Sequence, residues 1–164
     1  MAQNLYLFMG ENHYELRQEL KRRKDNFAQK FGAESVFTYH SENRNPGEIK
    51  QNLYGGGLFI TKKLIILQGI PLDTTTTNKL REEQYGTLTE EIMTTAIGIP
   101  SDTILICVSH TPDKRGRFYK WITKEGQLKV FTPLDKNEVK RFVKQQTEDL
   151  ELSSSALETF LKKV

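Results

Sequence analysis

The loop after the first apolar run of the chain carries the first residues that could do chemistry. It reads Gly10-Glu11-Asn12-His13. A loop that cradles nucleotide phosphates needs several glycines for close backbone approach, and a Lys followed by Ser or Thr for phosphate and magnesium. This loop has one glycine and no lysine, and Glu11 adds negative charge where a phosphate would sit. We therefore predict no nucleotide cofactor, with a nucleotide-dependent ATPase or phosphotransferase as the competing enzymatic interpretation.

Residues that could bind a metal or act as a nucleophile are few and scattered. No two of His13, His40 and His110 have the spacing of a metal site or of a nucleophile and its base. Cys107 lies inside an apolar, β-branched run, where it suits a buried strand as a small hydrophobic residue. We predict no metal, no catalytic residue and no enzymatic activity in this chain.

A glycine-rich pentapeptide is the most unusual short segment of the sequence. Residues 55–59 read Gly-Gly-Gly-Leu-Phe and precede the most strand-like run, which begins at Lys63. Each glycine costs about 0.5–1 kcal/mol in a regular element, so local helix or strand stability does not explain three in succession. The pattern indicates a mobile presentation of Leu58 and Phe59, either to the core or to a partner.

The densest basic run, residues 21–24, falls in an amphipathic helical segment. Apolar residues recur from Leu16 to Phe31 at spacings of four, seven and four, as on one helix face. The basic run is then the solvated face of this helix. The less favoured interpretation, in which the chain binds DNA, uses a phosphate-contacting stripe of Arg17, Lys21 and Lys24.

The elements that position these residues alternate between strand and helix. Apolar and β-branched runs predict five strands, near 4–9, 35–39, 63–67, 103–108 and 127–132. Helical spacing predicts four helices, after Asn12, from Pro46 to Leu53, from Leu80 to Ala96 and from Arg117 to Lys124. A break at Gly86 is predicted in the third of these helices. This order predicts an α/β fold, with a five-stranded, mainly parallel sheet sandwiched by helices.

The character of the chain changes at Asp135, beyond which no strand signal remains. Asp135 and Glu138 form a capping-box pattern, and a second helix is predicted from about Ser153. The apolar face of that second helix is unfinished at Val164, so we expect a longer protein. We predict an α/β domain over 1–134 and the beginning of a helical domain over 135–164.

Composition bears on possible partners and on cellular location. The 164 residues include 24 Lys and Arg against 21 Asp and Glu, a formal charge of +3, which permits nucleic acid contact without requiring it. A single cysteine, no secretory signal pattern and no apolar run near the ~20 residues that span a bilayer predict a cytoplasmic protein without a membrane partner.

The whole chain resembles the N-terminal part of the delta subunit of bacterial DNA polymerase III, the clamp-opening member of the clamp loader. Four stretches carry the resemblance by their order and spacing: Leu5 to Asn12, Gly57 to Phe59 with Lys63 to Leu67, Ile99 to Ile106, and Asp113 to Trp121. The resemblance implies an AAA+-like domain of P-loop NTPase type with a degenerate nucleotide site and no ATPase activity, followed by a helical lid. It also implies a role in DNA replication as part of a DNA-directed DNA polymerase, a nucleotidyltransferase.

The same resemblance assigns a role to the pentapeptide. In that family a Leu-Phe pair at this position plugs a hydrophobic pocket on the ring-shaped sliding clamp, the beta subunit, and Leu58 and Phe59 match the pair. Two further positions of the family motif are Tyr54 and Gly56, and Gly56 departs from the usual apolar residue. The implied partners are the sliding clamp and other clamp-loader subunits, with DNA contacted indirectly through the complex.

Overall fold

A computed structural model describes residues 4–40, 45–55, 61–69, 79–94 and 99–146 of the chain. Strands and helices alternate along residues 4–130, as the sequence predicts. The strands are β1 (Leu5–Met9), β2 (Val36–His40), β3 (Lys63–Gln68), β4 (Thr103–Ser109) and β5 (Gln127–Val130), and the helices are α1 (His13–Phe31), α2 (Pro46–Tyr54), α3 (Lys79–Thr94), α4 (Arg117–Glu125) and α5 (Lys136–Gln146).

The strands form one sheet in the order β2-β3-β4-β1-β5. All four strand pairs are parallel; in the centre, Leu7 lies opposite Cys107 and Ile65 opposite Leu105. Parallel neighbours require crossover connections, which the intervening helices supply. The predicted α/β fold with a five-stranded parallel sheet is confirmed.

Helices cover both faces of the sheet. The side chains of α1 that face the sheet are Leu16, Leu20 and Phe27, all buried, so the spacing read from the sequence marks the packed face of this helix. On the opposite face, α2, α3 and α4 bury Ile49, Leu53, Leu88, Ile92 and Ile122. Because β3 and β4 are covered on both faces, nearly every residue of these two strands is buried, which explains their continuous apolar sequences.

The starts of α1 and α2 follow from local capping signals. The Asn12 side chain accepts a hydrogen bond from the Glu15 N–H, and that of Asn45 accepts one from the Gly47 N–H. Pro46 occupies the first turn of α2, where its missing N–H costs nothing. The predicted starts of both helices are confirmed.

Gly86 does not divide α3, contrary to the break predicted from the sequence. The helix runs without interruption from Lys79 to Thr94. A glycine inside a helix costs only about 1 kcal/mol, and the buried Leu88 and Ile92 hold the following turns against the sheet. Tertiary packing therefore outweighs the local preference.

The chain divides into two compact units, Met1–Phe131 and Thr132–Val164. In the second unit, Glu138 accepts a hydrogen bond from the Asp135 N–H at 2.8 Å and donates its own N–H to Asp135 Oδ1 at 2.8 Å, which confirms the capping box. The helix predicted from Ser153 lies outside the described residues. That the second unit begins a lid domain stays a prediction.

Among the described residues, no helix combines the length and apolar character needed to cross a membrane.

Candidate functional site

Of the predicted clamp-binding residues, Tyr54 is the last residue of α2, and the other three follow it in the sequence before β3. Leu58, Phe59 and Gly56 fall outside the described residues, so their role in clamp binding stays a prediction. The structure describes the two ends of the connection, which are Tyr54 and Gly55 on one side and residues 61–63 on the other.

Helix α2 is firmly seated on the sheet up to its last turn. Ile49 and Leu53 are completely buried, and the half-buried Tyr54 ring packs against the same core. Helix α2 is also joined to α3 by an ion pair of 2.7 Å between Lys50 Nζ and Glu91 Oε1. The chain therefore leaves α2 from a fixed point, and Tyr54 keeps part of its surface accessible.

A polar network on the sheet side of α2 fixes its orientation. Asn52 Nδ2 donates a hydrogen bond of 2.5 Å to the Tyr39 hydroxyl, which in turn donates one of 3.3 Å to Glu48 Oε1. Burial raises the pKa of Tyr39, and the nearby Glu48 carboxylate raises it further, whereas the hydrogen bond from Asn52 opposes the increase. The hydroxyl therefore stays protonated at neutral pH and joins β2 to α2.

Lys63, the first residue of β3, has an unusual environment that sequence reasoning missed. Only 4% of its surface is exposed. Its ammonium donates a hydrogen bond of 2.8 Å to the Asn52 carbonyl and a second one to the Gly55 carbonyl. A buried ammonium is costly unless it is hydrogen-bonded, and the C-terminal end of a helix favours positive charge. The available signal was a lysine opening an otherwise apolar, buried strand.

The structure also gives a local reason for the first glycine of the pentapeptide. The Gly55 N–H donates a hydrogen bond of 2.7 Å to the Gln51 carbonyl, and a Cβ at position 55 would overlap that same oxygen. A side chain there would thus displace the end of α2. The sequence-based view that local structure does not explain these glycines is wrong for Gly55.

At the carboxyl edge of the sheet, hydrogen bonds to protein acceptors fix the loop between β1 and α1. Gly10 has a φ of 128°, and a Cβ there would overlap the Phe131 carbonyl. That carbonyl accepts a hydrogen bond of 3.1 Å from the Asn12 N–H. The Glu15 N–H is bonded to Asn12 Oδ1 at 3.1 Å and the His13 N–H to the Glu11 carbonyl at 2.8 Å. A phosphate at this helix start would have to compete with these acceptors.

Two histidines that the sequence separates by most of the chain meet at this edge. The rings of His13, at the start of α1, and His110, after β4, stack with their centroids 3.9 Å apart. Strands β1 and β4 are adjacent and parallel, with Met9 opposite Ser109, so the residues after both strands lie together. Spacing in the sequence could not identify this pair. A prediction that β1 and β4 are neighbouring strands would have placed the two histidines together. No cluster of three or more possible metal ligands occurs among the described residues.

Two of the three cations in the less favoured DNA-binding stripe on α1 are engaged within the helix itself. Arg17 Nε donates to the His13 carbonyl at 3.1 Å, and Lys21 pairs with Asp25 at 2.9 Å. The open groove of about 650 Å³ between α1 and the region of β5 has a lining of mixed charge, with Lys21, Arg22 and Lys129 beside Glu15, Glu19 and Asp25. This surface does not present the single positive sign that nonspecific phosphate binding uses.

Glu19 lines this groove and is the centre of an ion cluster between α1 and β5. Its carboxylate accepts hydrogen bonds from Arg22 and Arg23 at 2.9 Å and lies 3.1 Å from Lys129 Nζ. Burial opposes ionisation of Glu19, but the hydrogen bonds from the three cations outweigh it and lower its pKa to about 2. The ion pair between Glu19 and Lys129 joins α1 to β5, so the cluster stabilises the packing of these two elements.

Cys107 is completely buried in β4, as predicted. Burial raises its pKa to about 12, so the thiol is neutral at physiological pH. Because the thiolate is the nucleophile, this cysteine contributes packing rather than reactivity.

The aromatic residues of α4 pack against the core. Phe118 is buried, and Tyr119 and Trp121 pack against the same core from its border. The charged turn before the helix is closed on itself, since Arg115 pairs with Asp113 at 3.0 Å. These aromatics therefore stabilise the fold and do not form a stacking platform.

Comparisons with known proteins give similarity in structure only. No family model and no curated protein matches the sequence. The DNA clamp loader delta protein of Bacillus subtilis superposes with a TM-score of 0.61 at 12% identity, over 99% of this chain and 52% of that protein. A DNA polymerase III gamma subunit-related protein from Thermotoga maritima gives 0.51 at 14% identity, over 91% and 49%. A RuvB mutant from the same organism gives 0.56 at 14% identity, over 97% and 49%.

The chain thus spans about half the length of each of these proteins. At such low identity the comparisons establish the fold and leave the activity open. The chain shares the α/β fold of these proteins, in which helices cover a parallel β-sheet.

Proposed function

We propose that this chain is the N-terminal part of a clamp-loader delta subunit, which binds the sliding clamp through Leu58 and Phe59 and helps to open the ring during DNA replication. The observation that carries the proposal is the similarity of nearly the whole chain to a clamp loader delta protein. The Leu-Phe pair supports it, because the pair follows the helix that precedes β3, where the delta family places its clamp-binding plug.

The geometry at the carboxyl edge of the sheet supports a role without ATP hydrolysis. The N–H groups of Asn12, His13 and Glu15 are bonded to protein acceptors, and the loop before them contains no lysine. In this proposal, ATP is bound and hydrolysed by other subunits of the loader. Those subunits are the second class of partner, and DNA is contacted through the assembled complex.

The size of the Leu-Phe pair limits what it contributes to affinity. Burying one Leu and one Phe is worth about 3–6 kcal/mol in all, before any ordering cost. A micromolar complex requires about 8 kcal/mol. The pair is therefore an anchor, and neighbouring surface, including the accessible part of Tyr54, supplies the remainder.

Ring opening adds a thermodynamic requirement. A ligand shifts a conformational equilibrium only by the difference between its affinities for the two states. The delta subunit must therefore bind the open or strained clamp more tightly than the closed ring.

Calorimetric titration of the sliding clamp with wild-type chain and with the double variant Leu58→Ala/Phe59→Ala tests the proposal. The double variant should bind at least about 100-fold more weakly, the equivalent of about 3 kcal/mol. A matched control is Leu128→Ala/Val130→Ala, which truncates two apolar side chains that are 46% and 50% exposed on β5. The control should bind as wild type does, and unchanged affinity of the Leu58/Phe59 variant would contradict the proposal.

The competing ATPase or phosphotransferase function has a separate test. A nucleotide that binds the native state must raise the melting temperature. We expect ATP with magnesium to leave the melting temperature of the wild-type chain unchanged, and an increase of several degrees would favour the enzymatic alternative.

A further inference from the structure

We propose that Lys63 is a positioning residue for the segment that carries Leu58 and Phe59. The inference rests on the proposed clamp-binding function, and it assigns to a buried lysine the task of holding together the two ends of the segment. Its basis is the contact between the Lys63 ammonium and the Asn52 and Gly55 carbonyls at the end of α2.

The contact closes the connection between α2 and β3 at its base. Gly55 is the last described residue before the segment, and Lys63 is the first residue of the strand that follows it. The Lys63 N–H is itself bonded to the Asp102 carbonyl at 2.8 Å, so the lysine backbone is fixed by the neighbouring strand region. The side chain then extends from this fixed point to the end of α2. Both ends of the segment are thus joined through one residue.

The charge of Lys63 is suited to this task. Among the described residues no carboxylate forms an ion pair with Lys63, and its two acceptors are backbone carbonyls at the end of a helix. The last carbonyls of a helix lack intrahelical partners and carry partial negative charge. A charge-assisted hydrogen bond to such groups is stronger than a neutral one, and burial protects it from solvent screening. An ordinary surface lysine does not have this environment.

The glycines give a reason why fixing the two ends of the segment would favour partner binding. Glycine loses more conformational entropy on ordering than any other residue, and each residue that becomes ordered when a partner binds costs free energy. Closing the base of a loop removes part of this freedom before binding, which is the effect of preorganisation on affinity. Lys63 in this way restrains the two described ends between which Gly56, Gly57 and the Leu-Phe pair lie in the sequence.

The test uses Lys63→Met in the full chain, because methionine keeps the apolar stem and removes the ammonium. Lys62→Met is the matched control, since it removes the same charge from an exposed neighbour. Two quantities are measured at a temperature where each variant is fully folded. One is the rate of chymotrypsin cleavage after Tyr54, Leu58 or Phe59, located by mass spectrometry. The other is the dissociation constant for the sliding clamp.

We expect Lys63→Met to be cleaved in this segment about tenfold faster and to bind the clamp about tenfold more weakly, because it loses both charge-assisted hydrogen bonds to the end of α2. Lys62→Met should match wild type in both. Lys63→Arg, which retains a positive charge and donors, should recover most of the binding. A lysine that served only general stability would lower the melting temperature and leave both measurements unchanged.

The possible results separate this inference from the proposed function. If wild-type chain fails to bind the clamp, the proposed function falls, and faster cleavage of Lys63→Met still shows that Lys63 restrains the segment. If Leu58→Ala/Phe59→Ala abolishes binding while Lys63→Met cleaves and binds as wild type, only the inference about Lys63 is refuted. Should Lys63→Met not fold, Lys63→Gln, which keeps an amide donor, replaces it. Failure of both variants to fold would overturn the inference, because Lys63 would then serve the fold as a whole.

Discussion

Replacement of Glu19 by glutamine is a direct test of how the ion cluster on α1 stabilises the fold. Only 11% of the Glu19 side chain is exposed, and three cations surround its carboxylate. Glutamine has nearly the same shape but carries no charge, so the variant removes the electrostatic contribution without creating a cavity.

The expected magnitude follows from the pKa of Glu19. Its lowering from 4.5 to about 2 corresponds to about 3 kcal/mol of stability at 1.36 kcal/mol per pKa unit. The cations are partly exposed to solvent, so about 3 kcal/mol is an upper value. Because the folded pKa lies below the unfolded one, this contribution is complete above about pH 4.5 and disappears as the pH falls through about 2.

The assay is urea-induced unfolding of wild type, Glu19→Gln and a control at pH 7 and at several values between pH 5 and 2. The control is Asp25→Asn on the same helix, whose ion pair with Lys21 is exposed, with 62% of the Asp25 side chain accessible. At pH 7 we expect Glu19→Gln to be less stable by about 2–3 kcal/mol, and Asp25→Asn by less than about 0.5 kcal/mol.

The dependence on pH decides whether the reasoning is correct. The difference between wild type and Glu19→Gln should narrow steadily below pH 4.5, because protonated Glu19 and glutamine are both neutral. A difference that stays constant across this range, or one no larger than that of Asp25→Asn at pH 7, would refute the assignment of Glu19 as an ion-cluster centre.

Further predictions concern two glycines and the cysteine. Gly10→Ala should lower the free energy of unfolding by at least about 1–3 kcal/mol, because position 10 has a positive φ and a Cβ would overlap the Phe131 carbonyl. Gly86→Ala should instead raise it by about 0.5–1 kcal/mol, since a Cβ in this helical position meets no atom within 4 Å. In urea unfolding, an unchanged stability of Gly10→Ala would contradict the first prediction, and a destabilised Gly86→Ala the second. Cys107 should react with a thiol reagent at pH 8 only after unfolding, because it is completely buried and its pKa is raised to about 12. Rapid labelling of the native chain would show that β4 opens locally.

Local signals predicted the elements of this protein well. Continuous apolar runs identified β3 and β4, because a parallel strand buried on both faces tolerates few polar side chains. Pro46 marked the start of α2, and the Asp135–Glu138 pair marked that of α5. The helix break predicted at Gly86 was wrong, because helix propensity is a weak local contribution and the packing of the next two turns outweighs it.

Contacts between distant residues could not be predicted in the same way. The stacked His13 and His110 rings depend on which strands are neighbours, and the order of strands in a sheet is not written in any local pattern. The bond from Lys63 to the end of α2 likewise depends on how that helix is seated against the sheet. Both features arise from packing across the sheet, to which residues far apart in sequence contribute together.

The sequence by itself determined the type and order of the secondary-structure elements, their α/β arrangement, the absence of a lysine from the loop after β1, and the position of Leu58 and Phe59 before β3. These properties depend on hydrophobic periodicity, capping and residue identity, which act over a few neighbouring residues. Tertiary structure alone decided that the Phe131 carbonyl bonds to the start of α1 and that Lys63 joins the two ends of the Leu-Phe segment. The reason is physical: a buried ammonium or N–H must find an acceptor in three dimensions, and only the packed fold determines which one lies within reach.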